Sequence, residues 1–241
     1  MLVLPNAWDA ASARAFVAAG FLAIATTSGG VAATLGYQDH EAASAEEMFA
    51  AAARIVRAIT IPVTVDLEAG YRLPPDVVAQ RAIAIGAVGV NLEDTDHHEG
   101  TGLVAAEAQA QRLAAFKAAA QAAGVDVVLN ARVDVFLRRA GTLDEQLAEG
   151  IRRGKLYRAA GADCLYPLGL GDEPRIAAFV EGVGCPVNIM ARRGGIPLSR
   201  LAALGVRRVT YATSLFREVL AAVERLAGEL HATVSSELHA P

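Results

Sequence analysis

Ala84-Ile85-Gly86-Ala87-Val88-Gly89-Val90-Asn91-Leu92-Glu93-Asp94 is the stretch on which the fold turns. An Ala-rich helical segment ends in Ala-x-Gly, an apolar run follows, and polar residues stand where the run stops. Gly86 falls where a helix C-terminus needs a left-handed residue, a conformation that Gly adopts without steric cost. The run Val88 to Leu92 is nearly continuous in its apolarity rather than alternating, as a parallel strand covered on both faces should be. Working outward, the same unit recurs at Gly20, Gly124, Gly161 and Gly205, followed by Leu22 to Thr26, Val125 to Asn130, Cys164 to Tyr166 and Arg208 to Tyr211. Three more runs, Leu2 to Leu4, Pro62 to Asp66 and Pro186 to Ile189, bring the strands to eight.

Helices fill the intervals. Ser44-Ala45-Glu46-Glu47 has the form of a capping box, Pro75-Asp76 opens a second helix, and Ala105 to Ala123 is a long Ala-rich third. Eight strand–helix units of roughly 30 residues leave no room for a linker, and about 250 residues is the usual size of a (β/α)8 barrel. The sequence therefore predicts an α/β fold, a single (β/α)8 TIM barrel domain over residues 1–241. The alternative, an open doubly wound sheet, lacks the Gly-x-Gly-x-x-Gly expected after its first strand.

Composition agrees. Of 241 residues 54% are hydrophobic and 20% charged, enough apolar surface for a large core and too little charge for a disordered chain. The formal net charge of -4 contains no long block of either sign, so neither nucleic acid nor an anionic membrane is an expected partner. Cys164 and Cys185 are expected to be buried, reduced thiols, and with no signal-like N-terminus or spanning segment the expected location is cytoplasmic.

A barrel places its site at the C-terminal ends of the strands. There the sequence concentrates Asn6, Trp8 and Asp9; Thr27, Ser28, Gly29 and Gly30; Asp66, Glu68, Gly70 and Tyr71; Asn91, Glu93 and Asp94; Asn130, Arg132 and Asp134; then Tyr166, Asn188, Thr213 and Ser214. Asp66, Glu68 and Glu93 on neighbouring strand ends would repel one another unless protons or a cation intervene. Mg2+ suits them, with Mn2+ as the other candidate, because such a hard cation keeps several waters and binds only one or two carboxylates directly. Asp66 is then the inner ligand, with Glu68 and Glu93 acting through water. The plainer reading pairs these acids with Arg132 or Arg72, or sets them as helix caps.

These motifs resemble the isocitrate lyase and phosphoenolpyruvate mutase superfamily, particularly its short bacterial members similar to carboxyvinyl-carboxyphosphonate phosphorylmutase. The resemblance runs over nearly the whole chain and rests on Pro5-Asn6-Ala7-Trp8-Asp9, Thr26-Thr27-Ser28-Gly29-Gly30, Asp66-Leu67-Glu68-Ala69-Gly70-Tyr71, Asn91-Leu92-Glu93-Asp94 and Asn130-Ala131-Arg132-Val133-Asp134. It implies a Mg2+-dependent lyase that cleaves a C–C bond of a small α-keto or 2-hydroxy diacid through an enolate; the alternative is a mutase or hydrolase acting on a P–C bond. It further implies that Asp66 binds the metal, that Glu68, Glu93 and Asp39 hold its waters, that Ser28 with the Gly29 and Gly30 amides receives the substrate carboxylate, and that Arg132 contacts the carboxylate or developing oxyanion. Isocitrate-type members carry Lys-Cys-Gly-His after the fourth strand, whereas this chain has Thr95-Asp96-His97-His98-Glu99-Gly100-Thr101-Gly102, so isocitrate and 2-methylisocitrate are expected to be poor substrates. Arg72 replaces a usual glycine and would bring a positive charge for a second substrate carboxylate.

Each remaining candidate has two readings. His97 is a proton donor or, with His98, a solvated loop residue; Trp8 lines the substrate pocket or packs; Tyr71 and Tyr166 bond a keto oxygen or cap the core. Asn188 is placed with the substrate. Arg192-Arg193-Gly194-Gly195 follows the seventh strand, where many barrels bind phosphate, and supports a rival reading as a phosphate-ligand barrel without metal chemistry. A noncatalytic scaffold ranks last because Asp66, Glu68, Glu93 and Arg132 are all present. The last helix, about 213 to 231, carries Leu215, Phe216, Val219, Leu220, Val223 and Leu226 on an apolar face. It docks on the core or, as the resemblance implies, is exchanged between subunits of a homo-oligomer.

Overall fold

The computed structural model describes residues 1–98, 102–139 and 141–238. Glu99, Gly100 and Thr101 of the loop after the fourth strand, and the last three residues of the expected 1–241 unit, lie outside the described residues. In chain order the elements are β1 Leu2–Leu4, β2 Asn6–Ala7, α1 Ala10–Ala18, β3 Ile24–Thr26, α2 Ser28–Leu35, α3 Ala45–Arg57, β4 Val63–Asp66, α4 Pro75–Ala84, β5 Gly89–Leu92 and α5 Ala106–Ala122. They continue with β6 Val128–Arg132, α6 Val135–Arg138, α7 Leu143–Ala159, β7 Cys164–Tyr166, α8 Glu173–Val183, β8 Asn188–Met190, α9 Leu198–Ala203, β9 Arg208–Thr210 and α10 Ser214–Leu238.

All the strand pairs are parallel, in two arcs, β1-β9-β8 and β2-β3-β4-β5-β6-β7. The arcs meet at an isolated bridge between Leu165 and Val187 and at Pro5, between β1 and β2. Proline has no N–H to give a ladder, and there the first strand changes partner: β1 pairs with β9, while the Pro5 carbonyl accepts from the Ala25 amide at 2.9 Å. The strands thereby form the ring of a (β/α)8 barrel.

The core lies between that ring and the helices, around fully buried Leu113, Phe116, Tyr157, Leu165, Ile176 and Phe179. Helix α7 approaches closely through Gly150 and Gly154, where a Cβ would stand 2.6 Å from the Phe136 ring and 2.8 Å from Val183. Several strands begin later than their apolar runs: Leu22 is 83% exposed and Val125 is also on the surface, because the chain turns across the barrel base before entering the sheet. Ser44 caps α3 by accepting the Glu47 amide, but the Glu47 carboxylate takes the Ser44 hydroxyl, so the box does not close. A closed box stands instead at Thr142 and Glu145, opening α7. Cys164 is buried but Cys185 is only half-buried. Among the described residues, no helix is long and apolar enough to cross a membrane.

Helix α10 runs farther than its sequence pattern suggests. Phe216 packs edge-on against Trp8 at 5.4 Å, whereas Val223, Leu226 and Leu230, farther along, are more than half exposed. Core docking is therefore confined to its first turns.

Candidate active site

Thr27 caps α2, and its hydroxyl lies 2.9 Å from that of Thr213 across the top of the barrel. Helix α2 opens with Ser28, Gly29 and Gly30 directly after β3, so its first amides lie at the strand ends, that of Gly30 donating to Thr27 Oγ1. The Ser28 hydroxyl donates to Asp66 Oδ2 at 3.1 Å and its amide at 3.4 Å, which seats the Asp66 carboxylate where unpaired N–H groups and the helix dipole favour an anion. A Cβ on Gly29 would lie 2.7 Å from Asp39 Oδ2, and one on Gly30 would lie 3.0 Å from the Trp8 Cβ. Gly29 lets the helix end reach Asp39, and Gly30 lets it pack against Thr27 and Trp8. The other Asp66 oxygen, Oδ1, is buried with no hydrogen-bond partner, and burial raises the Asp66 pKa.

Glu68 adopts a left-handed backbone, φ 49°, in a loop that Tyr71 and Arg72 share at φ 55° and 57°. Such conformations cost about 1–3 kcal/mol each and gather at functional sites. Its carboxylate accepts from the Glu41 amide at 2.7 Å and from the Tyr71 hydroxyl at 3.2 Å. Burial, then the charges of Asp39 and Asp66, push its pKa up to about 8.

Arg132, at the end of β6, joins two acids. It binds Asp134 through Nε and Nη2 at 2.8 and 2.6 Å, and its Nη1 pairs with Glu93. Burial alone would lower the Arg132 pKa, but Asp134 and Glu93 hold it well above the usual value. Burial would likewise raise Asp134, yet Arg132 keeps it below the carboxylate range. One cation cannot neutralise two carboxylates, and the doubly bonded Asp134 is the ionised one. Glu93, with its pKa raised by burial, also meets His97 Nε2 at 2.5 Å.

Thr27, Ser28, Asp39, Asp66, Glu68, Glu93 and Arg132 line one cleft of about 670 Å³ at the strand ends. Other residues expected there lie elsewhere. Trp8 is packed edge-on between Phe16 and Phe216, and Asn188 is wholly buried inside the barrel, donating to Thr210 Oγ1 at 3.1 Å. Tyr71 stands behind Glu68, where it holds the carboxylate rather than facing the cleft. His97 and Arg72 line a neighbouring cavity of about 500 Å³ with His98, whose Nε2 lies 2.7 Å from Glu41 Oε2. The Arg72 charge is thus not aimed at a substrate held by Asp66. Conversely, His40, Arg139 and Arg217 line the cleft without having been singled out from sequence. Arg217 was legible as a basic residue on the first turn after the last strand; Arg139 sits one short helix beyond Arg132.

Among the described residues, no three His, Cys, Asp or Glu side chains stand close enough to enclose a metal ion. A cation that retains most of its waters needs fewer, and the unpartnered Oδ1 of Asp66, flanked by Glu68, Glu93 and Asp39, is a donor set that fits hydrated Mg2+ or Mn2+.

Residues 1–231 match the phosphoenolpyruvate phosphomutase family model. The chain belongs to this family. With it comes membership of the isocitrate lyase/PEP mutase superfamily, whose members are C–C lyases or mutases. A crystal structure described as a putative phosphonomutase from Burkholderia cenocepacia superposes with a TM-score of 0.89 at 39% identity, over 94% of this chain and 93% of that one. An uncharacterized protein of Mycobacterium tuberculosis is 34% identical over 86% of this chain and 76% of its own length. The 2-methylisocitrate lyase of Halalkalibacterium halodurans is 29% identical over 94% of this chain and 76% of its own.

Proposed function

We propose that the protein is a Mg2+-dependent lyase that cleaves a C–C bond of a small α-keto or 2-hydroxy diacid, by decarboxylation or aldol-type cleavage. The observation that carries this reading is the buried Asp66 oxygen left without a hydrogen-bond partner, on a side chain that lines the same cleft as Arg132. Asp66 would hold the cation directly, with Glu68, Glu93 and Asp39 on its waters; when bound, the cation supplies Lewis-acid polarisation of the substrate's keto and carboxylate oxygens. Ser28 and the amides at the start of α2 orient the substrate carboxylate. In an α-keto diacid the electron pair of the breaking C–C bond moves toward the keto oxygen. In a 2-hydroxy diacid the hydroxyl gives its proton to a carboxylate of the cleft, its oxygen becomes the new carbonyl, and the pair moves into the carboxylate of the departing fragment. Arg132 lies in the cleft wall to stabilise either charge. Glu93, whose pKa burial raises, lines the cleft and is the proton donor to the carbon left behind. Tyr71 and the Glu41 amide hold Glu68 in place.

A panel of 2-oxo and 2-hydroxy diacids assayed for keto-acid release with and without Mg2+ tests the reading. Release is expected only with the metal, and Asp66→Asn should abolish it while removing most Mg2+ affinity by calorimetry. Fast isocitrate cleavage, or turnover of phosphonopyruvate alone, would assign the protein to the other branches. The same reading takes the exposed apolar residues of α10 as a surface shared with a second copy of the chain, so light scattering at micromolar concentration should find an oligomer.

A further inference from the structure

The cleft is bipolar. Its acidic half comes from the ends of β3, β4 and β5, with Ser28, Asp39, Asp66, Glu68 and Glu93. Its other half comes from the ends of β6, β8 and β9, and carries Arg139 after α6, Arg192 after β8 and Arg217 in the first turn of α10. Among the described residues, eight other guanidinium groups are paired with acids, among them Arg132 with Glu93 and Asp134, Arg153 with Asp94 and Glu149, and Arg200 with Glu173. Arg139, Arg192 and Arg217 face the cleft, and none of their side chains makes an ion pair or hydrogen bond among the described residues. Glu218, the acid on this side, is occupied by Arg193 at 2.7 Å.

We infer that these three arginines form a subsite for a distal anionic group of the substrate, one carrying two negative charges. The inference rests on the proposed reading, in which the α-keto acid end lies against Asp66 and Ser28. Three uncompensated cations exceed what one carboxylate needs, whereas a phosphonate, a phosphate or a pair of carboxylates matches them, and a phosphonate offers three oxygens and two charges to guanidinium forks that bond oxygens in pairs. Volume agrees: about 670 Å³ is within the range of pockets for drug-sized ligands and exceeds the needs of a three-carbon acid. Arg72 had been the sequence's candidate for this charge, and its place in the neighbouring cavity leaves the role to the three.

Calorimetry in Mg2+ with four probes tests the subsite: oxalate, which has no distal group, and 2-oxopentanoate, 2-oxoglutarate and 2-oxo-4-phosphonobutanoate, which share one chain but end in methyl, carboxylate and phosphonate. Affinity should rise along that last series, by about tenfold or more from methyl to phosphonate, the order supplied by a hydrogen bond to a charged group. In the double variant Arg192→Gln/Arg217→Gln the phosphonate advantage should collapse, while the dissociation constant of oxalate moves by less than about threefold and Arg200→Gln behaves as wild type. If oxalate fails to bind with Mg2+, the proposed function itself fails. If oxalate binds but phosphonate gains nothing over methyl, or keeps its advantage in the double variant, the subsite is overturned and the function stands.

Discussion

Glu93 and Asp94 are neighbours at the end of β5, both almost completely buried, and they face opposite sides of the barrel wall. Asp94 looks outward: its Oδ2 accepts from Tyr157 at 2.6 Å and from Arg153 at 3.0 Å, both on α7, and its Oδ1 accepts from the Asp134 amide at 2.8 Å. Glu93 looks into the cleft, where it meets His97 and has only half of the Arg132 guanidinium, the other half being claimed by Asp134. Burial raises the pKa of both. What separates them is partners: a carboxylate with its own complete set of donors holds the fold together, and one that shares its cation retains capacity for another.

The comparison can be broken by substitution. Asp94→Ala strips Arg153 of its buried acid, leaving it the half-exposed Glu149 alone, and removes the acceptor of the Tyr157 hydroxyl and the Asp134 amide. Loss of one partner of a buried pair costs about 3–5 kcal/mol, and denaturant unfolding should show that loss. Glu93→Gln should cost far less stability while abolishing metal-dependent turnover, and equal destabilisation by the two variants would remove the distinction. Next in size, Arg132→Ala should lower kcat by about 10²–10³-fold, equivalent to about 2.7–4 kcal/mol, as for removal of one oxyanion donor. A change confined to KM would make Arg132 a ground-state binder.

A smaller effect concerns pH. With a folded pKa of about 8 against an ordinary 4.5, Glu68 keeps its proton in the folded state after the unfolded chain has lost it. Its contribution is therefore fully present below pH 4.5 and lost as pH rises toward 8. Metal-free protein should show that decline in its unfolding free energy, flattened in Glu68→Gln. Mg2+ binding near neutral pH should release protons, measurable by calorimetry in buffers of different ionisation enthalpy. Smallest is Glu149→Gln, which removes a half-exposed acid from Arg153 at 2.8 Å and should cost no more than about 1 kcal/mol in thermal unfolding.

The barrel was legible because its strands are buried on both faces and so read as apolar runs ended by Gly-capped helices. The acids and Arg132 were legible because the last residue of such a run must stand at the C-terminal rim. What the runs could not give is depth. Side chains two apart on a strand share a face, so Met190 reaches the cleft while Asn188 lies one layer below, as Asn130 lies below Arg132 and Thr64 below Asp66. Asn188 was assigned to the substrate by residue type and belongs to that lower layer. Trp8 was displaced by a contact no local pattern contains, with Phe216 at the far end of the chain. Arg72 was diverted by the left-handed turn it shares with Tyr71.

The break at Pro5 has a consequence for how the molecule is made. Because β1 pairs with β9 rather than with β3, Leu2 lies beside Arg208, a contact spanning nearly the entire chain. Closing so long a loop is entropically costly, and folding slows as contacts become more distant in sequence. During synthesis the arc from β2 to β7 can assemble strand by strand, but the ring shuts only once β9 has emerged from the ribosome. Until then β1 lacks its partner strand, and an unpaired strand edge is a template for aggregation in any incomplete chain.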